Sequence, residues 1–154
     1  MERRYILVNQ IRTPDGTIIK SRHQHDYVTH IDKNGLEYMV DGGSTYLRRN
    51  YHPGFPFEEL TVYVDSPFEE IRKSLERGGR GKYGKEPLKY VALKDINDKW
   101  LRNIIVYERR YRPYNSLLKL YEFEVLYRIH EEIEIPERIS LKDRIKNVFR
   151  YLFR

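Results

Sequence analysis

Two turn signatures in the first forty residues constrain this chain more than any other feature. Thr13-Pro14-Asp15-Gly16 joins Tyr5–Arg12 to Thr17–Ser21. Proline presets φ for a turn and glycine tolerates φ > 0, so the pair reads as a hairpin. Lys33-Asn34-Gly35 then separates His25–Asp32 from Leu36–Val40. Asn-Gly suits a type I′ turn, which needs φ > 0 at both central residues, and a two-residue loop of that kind sets the register of the arms. Strands joined this tightly can pair only antiparallel.

The punctuation continues. Asp41-Gly42-Gly43-Ser44 turns the chain into Thr45–Arg49, His52-Pro53-Gly54-Phe55-Pro56 is a loop, and Leu60–Val64 is a further β-branched run. Helical signals follow. Ser66-Pro67-Phe68-Glu69 has the form of a capping box that starts a helix to about Arg77, ended by Gly78-Gly79. Leu88–Leu93 reads as a strand. Asn97 or Asp95 caps a second helix with Trp100, Ile104, Tyr107 and Tyr111 at helical spacing, stopped by Arg112-Pro113. A third helix covers about Ser116–Glu131, with Leu118, Tyr121, Val125 and Ile129 as its inward stripe. Ser140 and Asp143 open a last one. The expected fold class is α+β: antiparallel hairpins in a meander, then helices, with one further strand near 88–93. The expected division is one α+β domain over 1–131, then a linker and a basic amphipathic helix over 132–154.

Composition narrows the function classes. No Cys excludes disulfides, thiolate zinc sites and thiol catalysis. No apolar run approaches the ~20 residues of a membrane span. Tyr5–Val8 is shorter than the ~7–15 apolar residues of a secretory leader, so a cytoplasmic location is expected. The net charge of +6 is uneven: residues 1–65 carry −1, and residues 66–154 carry +7. An anionic partner would therefore meet the second half.

Three of the five His lie in Ser21–Asp32. With a two-residue turn at Asn34-Gly35, Thr29 faces Val40, His30 faces Met39 and Val28 faces Asp41. Tyr27, Ile31, Tyr38 and Val40 then form the apolar face, and Asp26, His30 and Asp41 converge on the other, with His23 or His25 within reach. A His between two carboxylates suits a divalent metal or general acid–base work. The plain alternative is a solvated strand face, and a one-residue change of register would dissolve the cluster.

The stretch Arg77-Gly78-Gly79-Arg80-Gly81-Lys82-Tyr83-Gly84-Lys85 nearly matches a phosphate-binding loop. Glu86 stands where Ser or Thr must hold the metal, and the expected order is helix–loop–strand instead of strand–loop–helix, so a nucleotide triphosphatase is rejected. Arg80, Lys82 and Lys85 remain candidate phosphate contacts. Tyr107-Glu108-Arg109-Arg110-Tyr111-Arg112-Pro113-Tyr114 interleaves aromatic and basic groups, adding Arg109, Arg110 and Arg112. Rings stack on bases and Arg binds phosphate, although cations at a helix C-terminus also answer the macrodipole. In the last helix Leu141, Ile145, Val148, Phe149 and Leu152 make an apolar stripe suited to the core, a partner or a second copy of the chain. A membrane surface is the least expected of its contacts.

Arg12-Thr13-Pro14-Asp15-Gly16-Thr17, His25-Asp26-Tyr27-Val28-Thr29-His30, Tyr38-Met39-Val40-Asp41-Gly42-Gly43 and Tyr46-Leu47-Arg48-Arg49, with Pro87–Asp95 further on, resemble a family of small uncharacterised bacteriophage and prophage proteins. The resemblance spans roughly residues 10–130 and implies a source more than a mechanism. Three functions follow, in this order: a phage accessory protein that binds a host protein or complex in the host cytoplasm without catalysis; a nucleic-acid-binding protein acting through the basic half; and a metal-dependent hydrolase or nuclease on the His/Asp hairpin face.

Overall fold

The computed structural model describes residues 5–132. They form an α+β fold, strands first and helices later, as the turn signals require. The chain divides into two compact units, residues 1–93 and 94–154. The boundary expected at 131/132 lies at the edge of the described residues.

In the first unit β1 (Ile6–Arg12) is the central strand. It pairs antiparallel with β2 (Ile18–Ser21) along one side, Arg12 opposite Ile18, so the Pro-Asp-Gly turn does what its residues dictate. Its other side takes two short pieces, β6 (Glu58–Glu59) and β7 (Val62–Tyr63), which replace the single strand expected at 60–64. A second sheet has the order β3-β4-β5, with β3 (Val28–Ile31), β4 (Glu37–Asp41) and β5 (Arg48–Arg49). Only the last two residues of the strand expected at 45–49 join this sheet. Ile11, Ile19, Tyr38 and Val40 are buried together, with Val28, Leu36 and Phe57 packed against them. This cluster ties the first hairpin to the second.

The α1 helix (Phe68–Ser74) is shorter than expected, and the capping box does not form. Pro67 occupies the cap, and the Ser66 hydroxyl accepts from the Tyr63 amide instead. Gly78 and Gly79 do not end a helix. They belong to β8 (Glu76–Gly79), which pairs antiparallel with β9 (Lys89–Ala92). Lys20 and Arg22 hold Glu76 at 2.9 and 2.7 Å, and the Arg22 guanidinium lies 4.7 Å from the Tyr90 ring centre. Extended backbone at 76–79 pairs with β9 and brings Glu76 to Lys20 and Arg22.

In the second unit the Asn97 side chain accepts from the Trp100 amide and starts α2 (Asp98–Tyr111), as expected. A five-residue link leads to α3 (Leu117–Glu132). Ion pairs Asp98–Arg128 and Arg109–Glu122 join opposite ends, so the helices run antiparallel. Arg128 also donates to the Ile96 carbonyl and to Glu124, stapling α3 to the start of α2. The buried residues of α2 are Leu101, Ile104, Ile105 and Glu108, and those of α3 are Leu118, Tyr121 and Glu124. The expected α2 stripe is therefore corrected. Ile104 is inward, but Tyr107 and Tyr111 face water and Trp100 is half-buried. Leu101, Ile104 and Ile105 offer a wholly apolar i, i+3, i+4 set, whereas Tyr keeps a polar tip that tolerates exposure.

Candidate functional site

The register of the second hairpin decides the fate of the His/Asp set. His30 lies opposite Tyr38, Thr29 opposite Met39 and Val28 opposite Val40, one residue away from the expected pairing. The loop holds three residues, not two. The Asp32 carboxylate accepts from the Asn34 and Leu36 amides at 2.8 and 3.0 Å, and Gly35 alone adopts φ > 0, at 78°. Asp32 thus builds a turn around its own side chain and outcompetes the type I′ geometry. Burial works against ionised Asp32, but the hydrogen bonds from Leu36 and Asn34 outweigh it and keep the acid below its ordinary pKa. The shift turns Val28 to the core and leaves Tyr27, Thr29 and Ile31 exposed, the reverse of the expected apolar face.

The three expected ligands consequently have separate partners. His30 Nε2 lies 2.8 Å from Asp15 Oδ2, on the first turn. Asp26 accepts from the Arg22 amide at 2.7 Å. Asp41 is buried, accepting from the Gly42 amide at 2.8 Å and facing Arg48 at 3.5 Å. His23 and His25 are exposed in the preceding loop. Among the described residues no three His, Asp or Glu side chains gather as a metal site would need. Sequence reasoning missed Asp15, the real partner of His30, because the contact joins two different hairpins. Thr13 Oγ1 at 2.6 Å, His30 and the Thr17 amide hold the Asp15 carboxyl far below its ordinary pKa.

Arg49, met only as part of a motif, is the hub of this unit. Its guanidinium donates to Asn9 Oδ1 at 2.8 Å, to Thr61, and to Glu59 at 3.0 Å. Asn9 is fully buried and passes the link on to the Asp41 carbonyl.

The glycine-rich basic loop is the tip of the β8–β9 hairpin. The order is strand–loop–strand, so the loop does not lead into a helix N-terminus. Residues 80–90 are exposed without interruption, carrying Arg80, Lys82 and Lys85 with Tyr83. The Lys82 ammonium lies 5.1 Å from the Tyr83 ring centre.

The α2 helix presents the other cationic surface. Lys99, Arg102, Asn103, Val106, Tyr107, Arg110 and Tyr111 are all exposed. Their spacing, at i, i+3, i+4, i+7, i+8, i+11 and i+12, places them on one face. Neither acidic residue of α2 shares it: Asp98 pairs with Arg128, and Glu108 is buried, accepting from Asn115 at 2.8 Å. Among the described residues no carboxylate pairs with Lys99, Arg102, Arg110 or Arg112, whereas Arg109 is taken by Glu122 at 2.7 Å. The expected trio Arg109, Arg110, Arg112 thus yields two free cations, and the fold adds Lys99 and Arg102. A helical projection from Asn97 onward would have found these two.

Leu141, Ile145, Phe149 and Leu152 lie outside the described residues. Among those described, no helix is long and apolar enough to cross a membrane. No protein-family model, curated protein or solved structure matches this chain.

Proposed function

We propose that this protein binds nucleic acid and that the exposed face of α2 supplies its phosphate contacts. The observation that carries the reading is the set Lys99, Arg102 and Arg110 on one helix face, free of carboxylate partners among the described residues, with Arg112 just beyond. Such cations do little for the fold, because like charges on one face repel and their solvation is already complete. On a polyanion each one releases a condensed counterion, which favours association. The hairpin tip with Arg80, Lys82 and Lys85 offers further contacts of the same kind. Titrating the full chain against labelled DNA and RNA at several salt concentrations tests the reading. Affinity should fall steeply with salt, and each cation removed should flatten the logarithmic slope by about 0.7–0.9. No binding at low salt, or binding indifferent to salt, refutes it.

A second reading is a phage accessory protein that binds a host protein. It is favoured by the exposed apolar side chains of Tyr27 and Ile31, which lie in or beside the segment resembling the phage family. Contiguous exposed apolar patches, unlike single scattered residues, mark partner surfaces. Capture from host lysate with the parent and with Ile31→Ser compares the two. A partner that the variant retains equally speaks against this surface.

A further inference from the structure

We infer that the nucleic acid taken by α2 is single-stranded, and that Tyr107, Tyr111 and Tyr114 form the platform on which its bases stack; this rests on the nucleic-acid reading above. The three residues are 45, 60 and 99% exposed, so each keeps part of its surface open to solvent. Tyr107 and Tyr111 stand one helical turn apart, with ring centres 5.0 Å apart and planes inclined by 45°. The Arg110 guanidinium lies 5.3 Å from the Tyr111 ring centre. Tyr114 follows immediately in the link to α3. Tyr107, Tyr111 and the cations Lys99, Arg102 and Arg110 therefore lie along one side of α2, with Tyr114 exposed in the link that follows.

That combination selects among polyanions. A duplex buries the flat faces of its bases against one another and offers only edges in its grooves, so three exposed rings have nothing flat to meet. An acidic polypeptide would satisfy Lys99, Arg102 and Arg110 but leave the rings in water. An unpaired strand offers a π-face on every base beside a phosphate on every nucleotide. The rings then contribute affinity with little sequence preference, and the cations contribute its salt dependence.

The test uses the full chain with labelled oligothymidylate, a duplex of similar length, and polyglutamate as competitor. The parent should bind the single strand about tenfold or more tightly than the duplex, and polyglutamate should compete poorly. Tyr107→Ala/Tyr111→Ala should weaken single-strand binding about tenfold or more and leave the salt slope unchanged, since stacking releases no counterions. Tyr107→Phe/Tyr111→Phe keeps the rings and should bind as the parent does, and an alanine variant with the parent's denaturant midpoint excludes a folding defect. Equal affinity for strand and duplex, effective competition by polyglutamate, or an alanine variant that binds like the parent overturns the stacking platform. Loss of affinity in Arg102→Ala/Arg110→Ala alone would then leave the phosphate-binding reading intact. No binding of either nucleic acid removes both.

Discussion

The signature segments of the first unit and the exposed face of α2 both present polar side chains at regular spacing, and they use them in opposite ways. Around β1 to β5 nearly every such group is consumed by another part of the chain. Asp15 takes His30, Arg49 takes Asn9, Thr61 and Glu59, and Asp32 takes the amides of its own turn. On the exposed face of α2 Lys99, Arg102 and Arg110 have no carboxylate partner among the described residues, and Tyr107 and Tyr111 are exposed. A polar residue that has been paid for internally has little left to offer a ligand, whereas a solvated one exchanges water for a partner. In the pattern that looks most like a site, His and Asp in alternation, His30, Asp26 and Asp41 make their contacts within the chain. The pattern that looks like ordinary helix surface is the better candidate for recognition.

Substitution breaks or sharpens this contrast. The largest effect belongs to Gly42→Ala. Gly42 has φ of 99°, and an added Cβ would stand 2.2 Å from the Tyr46 carbonyl oxygen. Backbone strain and overlap together should cost about 3 kcal/mol or more, read as loss of the cooperative unfolding transition or a sharply lower denaturant midpoint. Arg49→Ala follows, at about 2–3 kcal/mol in urea unfolding, because it strands the buried Asn9 acceptor and Glu59. A fully stable Arg49→Ala would move Arg49 from scaffold to candidate ligand contact.

Lys99→Ala/Arg102→Ala/Arg110→Ala should behave in the opposite sense. Unfolding should change by about 0.5 kcal/mol or less, while nucleic-acid affinity at low salt falls by about ten- to a hundredfold. A large stability loss would show these cations to be structural and erase the contrast. Lys82→Ala/Lys85→Ala at the hairpin tip should reduce affinity more modestly, through the salt slope alone.

Asp15→Asn probes the acid limb. The folded-state pKa of Asp15 lies below its ordinary value of 3.8, so the ionised form is the one the fold favours. Its stabilisation is complete above that ordinary value and is lost as pH falls towards the folded-state value. Parent and variant should therefore differ in Tm at neutral pH and converge in acid. Parallel Tm curves would place the acid sensitivity in another carboxylate.

Much of the fold is legible in the chain because its causes are local. Pro14-Asp15-Gly16 sets its turn from its own dihedral preferences, and Asn97 caps α2 through a side chain three residues from its donor. The candidate site was half legible. Arg110 and Arg112 stand in an obvious cluster, but Lys99 and Arg102 join them only once the inward face of α2 is known. Arg109, in the same cluster, is lost to Glu122 on the neighbouring helix.

By itself the sequence determined an α+β chain that starts with two tight hairpins, contains no cysteine chemistry, and carries its positive charge in the second half. The tertiary structure decided the rest. It chose the register of β3 against β4, because Asp32 captured two amides and made a three-residue loop. It drew Gly78 and Gly79 into a strand, because β9 lay ready to pair and Lys20 and Arg22 were placed to hold Glu76. It also chose which face of α2 meets water. Turn and cap preferences act within a few residues and can be read in order along the chain. Register, pairing and the facing of a helix depend on groups far apart in sequence, and only the folded chain brings those together.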